Sequence, residues 1–168
     1  MFVGDEVLLG VSFAVARERL AQLTEGSVLI NASENAYGHG TVGLAGVGTR
    51  GLAKLVRVQV RELTWTDEAG GLAIRWEAGG PDGTLFPVLD ADLRLTQAGE
   101  QGTLLSVAGV YRPPFGPTGS SLERSILDRV AAVTVRNFTA SVAARIAGRP
   151  GPAEAAPSNG AGAAPPSA

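Results

Sequence analysis

Hydrophobic and polar positions alternate with period two through the middle of this chain, and that period predicts antiparallel strands with one wet face. In LAKLVRVQVREL (52–63), Val56, Val58 and Val60 alternate with Arg57, Gln59 and Arg61. DEAGG at 67–71 reads as a hairpin turn, because glycine and acidic residues favour tight turns. LAIRWEA follows, with Leu72, Ile74 and Trp76 opposite Arg75 and Glu77. GGPDG at 79–83 turns again. LFPVLDADLRLT then sets Leu89, Ala91, Leu93 and Leu95 on one face and Asp90, Asp92 and Arg94 on the other. Pro87 donates no backbone N–H, so it belongs at an edge or a bulge. AGEQG at 98–102 is a third turn, and TLLSVAGVYR at 103–112 a fourth strand. The expectation is a meander of four hairpin-linked strands.

The flanking segments have other patterns. Residues 7–13 are apolar enough for a strand, with Gly10 as its weak point. In ARERLAQL, Leu20 and Leu23 lie three apart while Arg17, Glu18 and Arg19 point elsewhere, which predicts a short amphipathic helix. Gly26 and Ser27 break it and cap a second short helix, SVLINASENAYG. Residues 38–51 carry six glycines in fourteen positions and read as a glycine-rich strand, a loop, or both. After PPFGPTG at 113–119, Ser120 or Ser121 caps a helix of about 28 residues, roughly 40 Å long, which needs a sheet to lie across. Leu122, Ile126, Val130 and Val133 form one ridge, widened by Leu127, Ala131, Phe138, Val142 and Ile146, and Arg124 and Asp128 are spaced to pair on the wet side. Gly148 and Pro150 end it. The foldable unit is therefore 1–148, and 149–168, rich in Gly, Pro and Ala, reads as a disordered tail.

Composition narrows the function classes. Fourteen basic and sixteen acidic residues leave a net charge of -2, without the basic footprint that nucleic acid demands. The chain has no cysteine, which excludes a thiolate nucleophile and every cysteine-based metal site. The N-terminus lacks a basic leader region and its apolar run is cut by Asp5 and Glu6, so it reads as mature, cytoplasmic protein. No stretch reaches the eighteen or so apolar residues of a membrane span.

The order of strand, two short helices, antiparallel meander and long C-terminal helix resembles the START-like superfamily, also called SRPBCC. That group includes polyketide cyclase/dehydrase-like proteins and the birch-pollen allergen type. The resemblance rests on LFPVLDADLRL at 85–95, TLLSVAGVYRPPFGPTG at 103–119 and LERSILDRVAAVTVRNF at 122–138, and it covers about residues 5–147. It is strongest toward actinobacterial members of unassigned role. It implies an α+β helix-grip fold, with six or seven antiparallel strands curled around the C-terminal helix and a cavity between them. The two short helices would close one end, and a further strand would fall in the glycine-rich region. Members bind lipids, sterols, polyketides or plant hormones, or cyclise and dehydrate polyketides, and they share no single catalytic motif.

Each candidate group has a plain structural alternative. Gly46-Val47-Gly48-Thr49-Arg50-Gly51 spells the dinucleotide fingerprint, but an alternating strand follows where the pyrophosphate needs a helix N-terminus, so no cofactor is expected. His39 is the only histidine and the natural general base near neutral pH; between two glycines it equally suits a loop. Ser33 or Ser106 would complete a triad with it, yet no nucleophile-elbow sequence is present, and one histidine without cysteine makes no metal site. Asp90 and Asp92 would act as acid and base if their face lined a cavity; the leucines opposite claim the inner face, leaving the aspartates to water or to Arg57 and Arg61. Tyr111 and Phe115 fall where the sheet hands over to the long helix, near the expected cavity mouth. Trp76 lies on the inner strand face. Asn137, beside Phe138, interrupts the apolar helix face and needs a partner or a ligand.

These residues lead to a small hydrophobic ligand, lipid-like or polyketide-like, held between sheet and C-terminal helix by Trp76, Tyr111, Phe115, Asn137 and Phe138. Two alternatives stay open. One is a cyclase/dehydratase-like enzyme with His39 or an inward aspartate as base and Tyr111 as donor. The other is a partner-binding module, monomer or homodimer, whose cavity is filled by side chains.

Overall fold

The computed structural model describes residues 2–25, 27–42, 56–61, 63–78, 88–112 and 121–149; at 37–42, 56–57, 78 and 121–127 it describes the backbone alone. The chain is α+β. In order it forms β1 (Phe2–Leu9), α1 (Phe13–Glu25), α2 (Val28–Val42), β2 (Val56–Val60), β3 (Thr64–Trp65), β4 (Ala69–Ala78), β5 (Val88–Gln97), β6 (Thr103–Arg112) and α3 (Ser121–Ile146). All strand pairings are antiparallel. The sheet runs β1-β6-β5-β4-β2, with β3 also on β4, so the first strand closes against the last.

Period two sets the faces. Leu72, Ile74 and Trp76 of β4, Leu89, Ala91, Leu93 and Leu95 of β5, and Leu105, Val107 and Tyr111 of β6 are buried toward the helices. The strand β1 starts earlier than its apolar run suggests. Val3 and Leu9 are buried, with half-buried Asp5 and Val7 between them on the same face. Phe13 belongs to α1 instead, because the Ser12 carbonyl accepts the Ala16 N–H at 3.0 Å and starts the helix. Ser27 does the same for α2 through the Asn31 N–H, at 2.8 Å. The helix α2 runs on to Val42 through the first glycines of the glycine-rich stretch. Its fingerprint at 46–51, the turns at 79–83 and 113–119, and the tail at 150–168 lie outside the described residues.

A bulge re-aims one aromatic residue. The register passes from Val60↔Ile74 to Thr64↔Gly71, so four steps along β2 and β3 oppose three along β4. The extra residue turns Trp65 onto the inner face. There its ring lies over Gly70, where a Cβ atom would fall 1.8 Å from the indole. Trp65 then meets Phe13 edge to face at 6.3 Å, and Arg17 stands 5.0 Å above its ring. This junction docks α1 on one end of the sheet. Thr103 Oγ1 donates to the Val11 carbonyl at 2.9 Å and holds the α1 approach to the start of β6.

The helix α3 packs on α2, β1 and β6. Ala131, Val135, Phe138, Val142 and Ile146 are buried along it, and Leu29, Ala32, Ser33 and Ala36 are buried on α2. The small residues of α2 let the two helices approach closely. At its end, the Gly148 N–H reaches the Arg145 carbonyl at 3.0 Å and the Arg149 N–H reaches Ala144 at 2.8 Å, a Schellman cap with Gly148 at φ +73°. Arg19 Nη1 of α1 donates to the Ile146 carbonyl at 2.5 Å, fixing the C-terminal end of α3 beside α1.

Candidate functional site

With α1 at the Trp65–Gly70 end, the opposite end of the inner face carries a cross-strand row. Val58 pairs with Trp76, Trp76 with Leu89, and Leu89 with Tyr111. Trp76, Leu89 and Tyr111 are all buried. From above, Phe138 of α3 presents its ring edge to face with Trp76 at 5.2 Å. Such a pair adds about 0.5–1.5 kcal/mol to the burial of its area.

Polar bookkeeping singles out two groups here. Ser33 Oγ donates to Leu29 O at 2.8 Å and Thr139 Oγ1 to Val135 O at 2.8 Å, the usual solution for a buried hydroxyl in a helix. Thr103 is satisfied by Val11. Among the described residues, Oγ1 of Thr134, buried one turn before Phe138, has no hydrogen-bond partner, and neither has Trp76 Nε1. An unsatisfied buried polar group costs about 1–3 kcal/mol. Both orphans lie at the sheet–helix junction, one directly against Phe138 and the other a helical turn away on the same side of α3.

An antiparallel sheet therefore holds the C-terminal helix on its inner face, with two helices inserted after the first strand and that strand paired to the last. This is a helix-grip arrangement. No family model matches the chain, and no curated protein matches it. Solved structures with related shapes include a hypothetical protein from Helicobacter pylori, 16% identical, with a TM-score of 0.44 over 83% of this chain and 85% of that one. A conserved protein from Geobacillus kaustophilus is 12% identical, with a TM-score of 0.43 over 85% of this chain and 95% of that one. An aromatase/cyclase from a Streptomyces strain is 10% identical, with a TM-score of 0.34 over 87% and 95%. No helix of the described residues is long and apolar enough to cross a membrane.

The structure brings some of the sequence candidates together and separates others. Trp76, Tyr111 and Phe138 share the helix-grip interior. Asn137 is half-buried at the edge of the buried face of α3. His39 falls within α2, its side chain outside the described residues, as is Phe115. Asp90, paired with Val110, stands on the outer face of the sheet, the face opposite the one that buries Tyr111. It accepts from Arg75 at 3.2 Å and from Arg112, while Arg75 also bonds Glu77 at 2.5 Å. Among the described side chains the partners of Asp90 are Arg75, its direct cross-strand neighbour, and Arg112; of the expected partners, the side chain of Arg57 lies outside the described residues. The Glu77 hydrogen bond, followed by the field of Asp90, holds the Arg75 guanidinium above its ordinary pKa despite some loss of hydration.

Asp92 and Arg94 share the outer face, where a concavity of about 740 Å³ opens over Ala73, Ala108 and Gly109. Thr134 escaped the sequence reading. The signal was a threonine four residues before Phe138, on the helix face that carries the apolar ridge.

Proposed function

We propose that this chain binds a small, mostly apolar molecule bearing a hydrogen-bond acceptor, such as a carbonyl or ether oxygen, between its sheet and α3. The observation that supports this reading is the indole N–H of Trp76. It is fully buried, held by Phe138, and has no acceptor among the described residues. Proteins pair buried donors as a rule, and a donor left open inside a mainly apolar interior suits a ligand that supplies the acceptor. Thr134 Oγ1 offers a second polar contact, able to donate or to accept. Leu89, Tyr111 and Phe138 supply the apolar surroundings. Asp90 and Asp92 lie across the sheet from this row, so the reading consists of binding and carries no catalytic step.

Native mass spectrometry of the purified full chain, set against its denatured mass, tests it. The wild type is expected to carry an added mass that disappears on denaturation. Trp76→Phe, which keeps a ring and removes the donor, is expected to lose it while retaining its circular dichroism spectrum. Equal retention by the variant would overturn the role of the indole. A wild type that carries nothing and binds no added apolar carbonyl compound would overturn the binding reading itself.

A further inference from the structure

The outer face of the β1–β6 pair is unusual for a wet surface. Phe2 is 71% exposed, Leu8 68% and Val110 49%. Phe2 is directly paired with Val110, and Leu8 with Leu104. Between these apolar rows lie the small pair Gly4 and Ala108 and the polar pair Glu6 and Ser106. Exposed large apolar side chains on both sides of a charged pair resemble an interface more than an ordinary wet surface.

The charges on the same face form a self-complementary pattern. Ser106 of β6 is paired with Glu6 of β1 on one side and with Arg94 of β5 on the other. Glu6 and Arg94 are thus two strands apart, roughly 10 Å, with β6 midway between them. Both are exposed, and neither makes an ion pair among the described residues.

We propose that this face binds a second copy of the same chain, sheet on sheet. A twofold axis lying between the sheets and running along β6 sets β1 of each copy over β5 of the other. Every contact is then made twice, as an isologous interface requires. Glu6 of each copy meets Arg94 of the other, giving two intermolecular ion pairs from groups that form none among the described residues of one chain. Val110 lies on the axis and meets its own counterpart. Phe2 of one copy, level with Val110, comes over Asp90 of the other at the side of the concavity, where the Arg75 guanidinium that pairs with Asp90 offers its face to the ring.

Sedimentation equilibrium of the full chain tests this arrangement. The wild type is expected to associate reversibly to a dimer. Glu6→Arg is expected to raise the dissociation constant about tenfold or more, and Glu6→Arg with Arg94→Glu to restore it, because the swap rebuilds both pairs. Val110→Glu, at an exposed site that tolerates charge, places two carboxylates on the axis and should leave monomer. A wild type that stays monomeric at roughly 100 μM, well above the dissociation constants of specific complexes, would overturn the proposal. So would a dimer indifferent to Glu6→Arg and Val110→Glu.

Discussion

The indole of Trp76 and the phenyl ring of Phe138 meet edge to face, with centroids 5.2 Å apart and an interplanar angle of 81°. This contact joins the sheet to the C-terminal helix at the end of the molecule away from α1. Phe138→Ala would remove a fully buried ring and open a cavity beside the unsatisfied indole N–H. Equilibrium denaturation in urea should show a loss of about 3–5 kcal/mol, the range for truncating a buried phenylalanine.

The cap of α3 gives a second prediction. Gly148 holds a left-handed conformation, and a Cβ atom there would sit 3.3 Å from Arg19 Nη1. Gly148→Ala should cost about 1–2 kcal/mol through backbone strain. Hydrogen exchange should locate that loss in the last turn of α3 and in the α1 contact, with the sheet unchanged.

Asp90→Asn separates the two faces of the sheet. Its carboxylate pairs with Arg75 and Arg112 on the partly exposed outer face, where ion pairs contribute little. The folded-state pKa of Arg75 is raised, so its contribution is complete below the ordinary arginine value and is lost only as pH climbs through the raised one. Stability near neutrality should therefore show no pH dependence from this guanidinium. The variant's melting temperature and its retention of an interior ligand should match those of the wild type. Loss of ligand with the fold intact would move the site to the outer face.

The meander was legible because a half-buried antiparallel strand writes its two faces directly into alternate residues; β6 spans the 103–112 run foreseen for it. The C-terminal helix was legible from its apolar ridge and from Gly148. Where two periods compete, the reading fails. Asp5 hides the inward series of Val3, Val7 and Leu9, so β1 begins five residues before its apolar run. The bulge before Thr64 shifts the period by one and turns Trp65 inward, a change that alternation alone does not encode. In the site, Trp76, Tyr111 and Phe138 announced themselves by size and phase. Thr134 did not, because a helical threonine ordinarily satisfies itself on the preceding turn, as Thr139 does here.

The most direct test of the account follows the Trp76 indole N–H itself. The chain has two tryptophans, so in the Trp65→Phe protein the single indole ¹H–¹⁵N resonance reports Trp76. It should be titrated with a medium-chain methyl ketone and with the alkane of the same chain length. The account predicts that the ketone moves the resonance downfield to saturation and binds about tenfold more tightly than the alkane, the worth of one hydrogen bond to an otherwise unpaired donor. An indole resonance that stays in place up to the ketone's solubility limit would contradict it.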